Sequence, residues 1–411
     1  DDAKLELPTK VSPSHKLFPC HAPKLRDSFH GYAIVHSVIV LLPPMFLEAF
    51  LLGSCALYAL NYVVLLIGRS RVVALPRRQP TEWPHATILV AARNEERNIR
   101  ACLQSLLAQD YPADRLQLVV INDESEDGTL QIMEQAAAAS LGTLRVVSTV
   151  ADSTPVHGKA RALAQGIDHA TGEIFLFTDA DCTPPPTWAR SMVEHLASNV
   201  DVATGFTIVG HKKTFGALQA LDWLHLHAIA SAALELGVLM GCIGNNFAIR
   251  RSAYQRVGGY RGMEFSVTED FALFAAVMRT GGRGIFHCHP DAAMQTEPCA
   301  TLFDVLRQKQ RWARGGIAMS SKGKMVLVIA VLMMASITIA PLYSLAMWGI
   351  VWGCKFLCDL ALMIPTMARL RMLPLLRHFL LFEFYFIAQA LVTPLLLFRR
   401  TVVWKGRRYR S

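Results

Sequence analysis

Two long, nearly uncharged stretches, 34–67 and 325–398, bracket a region of ordinary mixed polarity over 76–323. They constrain the chain more than any other feature, because a run of about 20 apolar residues is long enough to cross a bilayer. Hydrophobic residues make up 52% of the sequence, a high share for a water-soluble protein, and the excess lies in those stretches. The pattern implies a membrane protein with a large water-facing domain. Its 411 residues suit about two or three domains.

A formal net charge of +9 invites a nucleic-acid reading, but the positions oppose it. Basic residues collect where the apolar runs end: Arg69, Arg71, Arg77 and Arg78 after the first, Lys322 and Lys324 before the second, and Arg399, Arg400, Lys405, Arg407, Arg408 and Arg410 after the last. Positive charge at membrane ends marks the cytoplasmic side and meets anionic headgroups. There is no zinc-finger spacing or RNA-recognition motif, so no nucleic-acid partner is expected. Nine scattered cysteines without a C-x-x-C pair read as reduced thiols in a cytoplasmic domain. His287-Cys288-His289 closes an expected strand, Gly284–Cys288, with no second ligand pair nearby, which favours structural placement over zinc.

In chain order, residues 1–30 form a polar, proline-dotted tail with little order expected. A membrane segment occupies 31–68, where Ala49–Ile67 suffices for one span and Ile34–Leu42, cut off by Pro43-Pro44, suits the interface. This run lies too far in for a signal peptide. The water-facing domain covers 79–323, membrane helices 324–400, and a basic tail 401–411. Met325–Pro365 suits two spans with a break near Pro341, and Phe379–Phe398 is a third run. Three crossings would leave the basic tail outside, whereas its charge asks for an even number, so one run is a candidate for re-entrant or interfacial placement.

Inside the domain, apolar strands alternate with helices. Strands are expected at Ala86–Ala91, Leu116–Ile121, Leu144–Val150 and Glu173–Phe177, with helices at Glu95–Leu107, Gly128–Ala139, Lys159–Ala170 and Thr187–Ala197. Such alternation indicates βαβ units and a parallel sheet buried on both faces. Val200–Val209 is a further strand candidate and Phe215–Leu236 a further helix. Ligands of these sheets bind beyond the carboxyl ends of the strands. That rule puts Arg93–Glu96, Asp123–Asp127 and Asp179–Asp181 on one rim. Asp179 and Asp181, one residue apart where a strand ends, can meet one hard cation that also takes substrate phosphates; alone, such a pair more often marks a solvated turn. Asp123 and Asp127 could cap the helix from Gly128, and Thr268 is a candidate N-cap for a helix opening with Glu269-Asp270. Residues 301–316 interleave apolar and basic side chains, as in an amphipathic helix lying on a membrane.

Seven short motifs now stand in order: AARNEE (Ala91–Glu96), INDESEDGT (Ile121–Thr129), GKARAL (Gly158–Leu163), TDADC (Thr178–Cys182), GNNFAIRR (Gly244–Arg251), TED (Thr268–Asp270) and QKQRW (Gln308–Trp312). In this order and spacing the chain resembles the membrane-bound family 2 glycosyltransferases, over about Ala86 to Trp312. The INDESEDGT loop departs from the commoner D-D-G/S-S form. The resemblance implies a GT-A, Rossmann-like α/β nucleotide-diphospho-sugar transferase domain with transmembrane helices before and after it. It implies an inverting, metal-dependent hexosyl transfer with Mg²⁺ or Mn²⁺, from a UDP-type sugar to a membrane lipid. By the same resemblance Asp181 holds the metal, and Ala92, Glu95, Asp123, Lys159 and Asp179 bind the donor. Asp270 is the general base, with Glu269 its adjacent alternative, and Gln308, Arg311 and Trp312 serve the acceptor and leaving group. The ending VVWKGRRYR is similar to the W-x-G-R-x-Y of lipid-glycosylating members. The expected place is a multi-pass protein with a cytoplasmic catalytic domain, in a bacterial inner membrane before a eukaryotic endomembrane. A processive polysaccharide synthase of the same family, or a non-catalytic membrane binding protein or transporter subunit, are the alternatives.

Overall fold

The structure, a computed structural model, describes residues 43–73, 80–140, 142–151, 156–196, 199–316, 319–396, 401–404 and 407–410. The tail 1–30 and the run Ile34–Leu42 lie outside them. The chain divides into two compact units, Asp1–Ala49 and Phe50–Ser411. Of the first, the described part is the opening of helix α1 (Pro44–Val73), which is longer than the expected span because Pro43-Pro44 starts the helix instead of interrupting it.

The second unit is built on a seven-stranded sheet. Its strands are β1 (Ala86–Ala92), β2 (Leu116–Asn122), β3 (Leu144–Ser148), β4 (Ile174–Asp179), β6 (Val202–Gly205), β8 (Phe247–Arg250) and β9 (Gly284–His287), in the order β3-β2-β1-β4-β8-β6-β9. The first four run parallel, joined by helices α2 (Ile99–Leu107), α3 (Thr129–Ala139) and α4 (Gly158–Ile167). Register places Ala91 opposite both Ile121 and Asp179, so three strand ends stand side by side. β8 runs antiparallel to β4 and to β6, a reversal that strand composition does not announce.

Alternate residues of each strand feed two cores. Ile88, Val90, Leu118, Val120 and Leu176 face Ile99, Leu103 and Leu106 of α2 and Trp188 and Met192 of α5 (Trp188–Leu196). On the other face Leu89, Val119, Ile121, Phe175 and Phe177 meet Leu163 of α4 and Leu221 and Leu224 of α6 (Thr214–Leu234). That second core continues without a break into Met363, Met367 and Phe382 of the apolar helices. This explains why α6 is buried nearly all round, its polar Gln219, Asp222, His225 and His227 included: it is packed on both sides.

The expected strand Val200–Val209 is in fact two. β6 belongs to the large sheet, and β7 (Thr207–Val209) pairs with β10 (Met294–Thr296) in a small sheet completed by β5 (Cys182–Thr183). The division falls at Gly205-Phe206. There the Asn246 Nδ2 amide donates to the Phe206 carbonyl at 2.8 Å and to the Ala292 carbonyl at 2.7 Å, while its Oδ1 accepts from Trp188 Nε1 at 2.9 Å. A Cβ at Gly205 would overlap the Asn246 side chain. The remaining helices of the domain are α7 (Arg251–Arg256), α8 (Glu269–Arg279) and α9 (Leu302–Gly315).

After the domain come α10 (Ser321–Tyr343), α11 (Leu345–Arg369) and α12 (Phe379–Leu396), the last preceded by a 3-10 turn Leu373–His378. Together with α1 they provide four segments long and apolar enough to cross a membrane. The break between α10 and α11 falls at Ser344, not at Pro341, which lies inside the last turn of α10. Ser344 is extended, and its Oγ accepts from Met347 N at 3.1 Å, so it caps α11 as it ends α10. A short hairpin, β11 (Thr401–Trp404) and β12 (Arg407–Arg410), follows.

Candidate active site

The ends of β1 and β2 form one knotted rim. Asn94 and Glu124 both hold left-handed backbone, with φ of 53° and 55°. Such non-glycine positions persist only where neighbours hold them and are common at functional sites. The neighbours here are mutual: Glu126 N donates to Asn94 Oδ1 at 2.9 Å, Gly128 N to Glu96 Oε2 at 2.9 Å, and Arg93 Nη1 to the Asp123 carbonyl at 2.9 Å. Asp127 is the helix cap that composition suggested, accepting from Thr129 N at 3.0 Å and from Glu96 N at 3.2 Å, and its carboxyl is lowered as a result despite some desolvation. Asp123 is no cap. It is 2% exposed and faces Arg161 Nη2 at 3.4 Å. Ala92 is buried and its carbonyl accepts from Asp123 N at 2.8 Å. Glu95 is buried beside them, accepting from Asn98 Nδ2 at 2.8 Å, while its own N–H donates to Thr129 Oγ1.

Helix α4 joins this rim to the acids further along the chain. From its first turn Lys159 Nζ reaches Asp179 Oδ1 at 2.5 Å and Glu269 Oε1 at 3.2 Å. Burial works against the charge on Lys159, but Asp179, Glu269 and Asp270 outweigh it and hold the ammonium above its ordinary range. Asp270 has the opposite problem. Burial first, and then the Glu269 carboxylate beside it, push it up to about 6, with Lys159 pulling the other way. One turn of chain at 268–270 therefore carries a carboxyl poised near neutrality, the range in which a general base works best. Thr268 precedes α8 but makes no capping bond there; its hydroxyl lies 3.3 Å from that of Ser266.

Two glycines make room for this arrangement. A Cβ at Gly244 would overlap the Asp270 carboxylate, and a Cβ at Gly315 would overlap the Thr268 side chain. The first explains the glycine that opens GNN; the second seats the end of α9 directly on the TED turn. The two asparagines of GNN are internal pins, since Asn245 Oδ1 accepts from Thr207 Oγ1 at 2.7 Å and Asn246 holds the strand break described above. Gly244→Ala is expected to leave a folded protein whose kcat is lowered about 100-fold, the scale of a displacement of about 1 Å at a reacting group. Steady-state kinetics on a variant with an unchanged circular dichroism spectrum checks it.

On α9, Gln308, Arg311 and Trp312 are half-buried, whereas their neighbours Lys309 and Gln310 are buried. Lys309 Nζ pairs with Asp222 Oδ2 at 2.5 Å and sits 4.8 Å from the Trp312 ring centroid. Trp312 packs edge-on against Trp223, with centroids 5.0 Å apart. Burial and then the Asp304 carboxylate raise the Cys299 thiol, against the pull of Arg311 and Lys309. The site thus joins Lys159 to Asp179 and Glu269 by direct contact, with Asp270 next to Glu269 in the chain and within electrostatic reach of Lys159. Ala92, Glu95 and Asp123 line the adjoining rim, and α9 is brought in by packing.

Asp181 is exposed at the turn between β4 and β5, its carboxylate accepting from Cys182 Sγ at 3.4 Å. Among the described residues no three His, Cys, Asp or Glu side chains converge on one point. An exposed carboxylate, with the remaining positions left to diphosphate oxygens and water, suits Mg²⁺ or Mn²⁺ and not a protein-caged ion such as structural zinc. His287 is part of the interior instead: its Nε2 pairs with Ser191 Oγ and its Nδ1 with His195 Nε2, both at 2.8 Å.

Three contributors were not singled out from the sequence. Arg161 counters Asp123, Asp222 anchors α9, and Gly244 accommodates Asp270. Arg161 and Gly244 lie inside motifs that were quoted, and their residue types were the available signal. Asp222 has no local signal.

Comparison with known proteins places the chain in a family. Residues 87–258 match the family described as Glycosyl transferase family 2, and 174–402 match Glycosyl transferase family group 2. A probable glycosyltransferase, YdaM of Bacillus subtilis, is 28% identical over 58% of this chain and 57% of its own length. The beta-monoglucosyldiacylglycerol synthase of Synechocystis is 28% identical over 64% of this chain and 56% of its own. The chain thus spans little more than half the length of these relatives. Among solved structures, the mannosyltransferase PcManGT of Pyrobaculum calidifontis, in complex with GDP-Man and Mn²⁺, shares the fold with a TM-score of 0.55 at 22% identity, over 85% of this chain and 97% of that one. The GT-A-like α/β core with long apolar helices before and after it, and a family match covering more than half the chain, lead to one conclusion: this protein belongs to glycosyl transferase family group 2.

Proposed function

We propose that this chain is an inverting glycosyltransferase that moves a sugar from a UDP-sugar to a membrane lipid at the cytoplasmic face. The observation that carries it is Asp270, a carboxyl held near neutrality on the same rim as Lys159 and Asp179 and directly beneath the seat of α9. In this reading Asp270 takes the proton of the acceptor hydroxyl as that oxygen attacks the anomeric carbon from the face opposite the leaving nucleotide. Asp123 and the Ala92 backbone receive the base, and Asp179 the ribose or the sugar. Lys159 and Arg311 bring positive charge to the departing diphosphate. Asp181 would hold a divalent cation, which supplies charge neutralisation at the diphosphate when bound. Gln308 and Trp312 face the acceptor.

The lipid acceptor is supported by how the apolar helices meet the domain. Ser320 Oγ at the start of α10 donates to the Leu239 carbonyl at 3.1 Å, and Arg369 at the end of α11 donates to the Cys288 carbonyl at 3.4 Å, so this pair leaves and returns to the domain. α12 packs along α6 and α9, and its last residue Leu396 accepts from Gln310 Nε2 at 3.0 Å. Its outer face exposes Leu380, Leu381, Phe384, Leu391 and Leu395. This arrangement suits a helix lying in the interface beside the catalytic helix. With α1, α10 and α11 crossing and α12 lying flat, the basic tail ends on the domain's own side, as its charge requires.

The test supplies UDP-glucose, Mn²⁺ and diacylglycerol in phosphatidylcholine vesicles, the acceptor being chosen from the name of the Synechocystis relative. A single glycolipid is the expected product; a high-mass polymer would replace the lipid reading by the processive one. The pH profile is a separate check. Asp270 acts as base only when ionised, so kcat/KM is expected to be level above about pH 6 and to fall tenfold per unit below it. In Asp270→Asn the residual rate should lose that limb.

A further inference from the structure

A cluster of charged side chains lies away from the catalytic rim, where the apolar helices meet α6. Lys355 Nζ contacts Asp359 Oδ2 at 2.6 Å and Glu383 Oε2 at 2.5 Å, and all three residues are 0% exposed. Asp359 Oδ1 also accepts from the Tyr58 hydroxyl at 2.7 Å and faces His225 Nε2 at 3.3 Å. The Tyr62 hydroxyl closes the group, 3.1 Å from His225 Nε2 and 2.9 Å from that of Tyr58. Four helices from distant parts of the chain, α1, α6, α11 and α12, thus converge on one set of charges. Packing alone does not require this. Buried ion pairs are commonly no more stabilising than well-packed apolar residues of the same volume, and their attested use is to fix one register against alternatives. Ionisable residues within apolar helices are costly and mark function by default.

The fixed register leads to α9 by two routes. On α6, His225 is three residues from Asp222, so the two share a helix face. Asp222 pairs with Lys309, and the adjacent Trp223 packs on Trp312. On α12, Glu383 sets the helix whose last carbonyl holds Gln310. We propose that Lys355, Asp359, Glu383 and His225 are positioning residues for glycosyl transfer: through α6 and α12 they set the seat of α9, and with it the reach of Arg311 and Trp312 toward the acceptor. They touch neither donor nor acceptor. The role assigned to α9 rests on the function proposed above.

The test compares wild type with Glu383→Asp, Glu383→Ala and the neutral triple variant K355M/D359N/E383Q, which leaves no lone charge buried. With UDP-glucose and diacylglycerol vesicles, Glu383→Ala and the triple variant should raise the acceptor KM at least tenfold with the donor KM within twofold. Glu383→Asp should recover most of the loss. A general loosening of the fold would move both constants together. A second measurement needs no turnover: by hydrogen exchange, amides of Leu302–Gly315 should exchange at least tenfold faster in the triple variant, with those of β1, β2 and β4 unchanged. An unchanged acceptor KM, or α9 amides exchanging as in wild type, would overturn the proposal. If wild type makes no glycolipid at all, the functional reading fails, and the exchange measurement still decides this one.

Discussion

Asp270→Asn is expected to lower kcat by about 10²- to 10⁴-fold, or about 3–5 kcal/mol of barrier, with the donor KM nearly unchanged. Asparagine keeps the volume beside Gly244 and can still accept the Phe271 N–H bond that Asp270 Oδ1 now accepts at 2.8 Å. It cannot take a proton. Single-turnover rates with saturating UDP-sugar, alongside isothermal titration of the nucleotide, separate chemistry from binding. The discriminating control is Glu269→Gln. Glu269 holds Lys159 at 3.2 Å and helps raise Asp270, so its loss should shift the acid limb to lower pH while retaining most of kcat. If Glu269→Gln proves the more damaging, the two acids have been assigned the wrong way round.

Asp181→Ala has the second largest expected effect. Asp181 is exposed at the β4–β5 turn, so its removal leaves no cavity and little change in stability is expected. Loss of the carboxylate that would hold the divalent ion should lower kcat/KM for the donor by at least about 100-fold, at or beyond the effect of losing an outer partner of a metal ligand. The dependence of nucleotide affinity on Mn²⁺ should vanish with it. Nucleotide titrations with Mn²⁺ and with EDTA read this directly; an unchanged Mn²⁺ dependence in Asp181→Ala would move the metal to other ligands. Asp179→Ala should behave differently, because Asp179 is bound to Lys159 at 2.5 Å and its loss removes one of the two carboxylates that hold this half-buried ammonium.

The order of motifs, the parallel run β3-β2-β1-β4 and the rim at its carboxyl ends were legible because each depends on local periodicity and on the chirality-driven rule for βαβ sheets. Asp270 was a candidate base only through motif resemblance. Its raised pKa comes from burial first, with Gly244 packed behind it, and then from Glu269 beside it, against the pull of Lys159, which is more than 100 residues earlier in the chain. The strand break at Phe206 was illegible because β-branched residues lie on both sides of it, Val202 and Thr204 before and Thr207, Ile208 and Val209 after, so that the stretch reads as one strand. Asn246, whose backbone carbonyl accepts from Gly205 N and whose side chain donates to the Phe206 carbonyl, shows where one sheet hands over to the other.

Hydrophobic runs and basic flanks by themselves determined that the chain carries membrane-length helices around a polar domain, since transfer out of water is decided residue by residue. The two apolar runs did not determine which helices cross. α12 is as apolar as the others, and the interfacial placement proposed for it rests on its packing along α6 and α9, which only the tertiary structure shows. The same holds for Lys355, Asp359 and Glu383. In sequence they are charges misplaced in apolar helices, and in the tertiary structure they satisfy one another, because complementary charge can be assessed only once distant helices lie side by side.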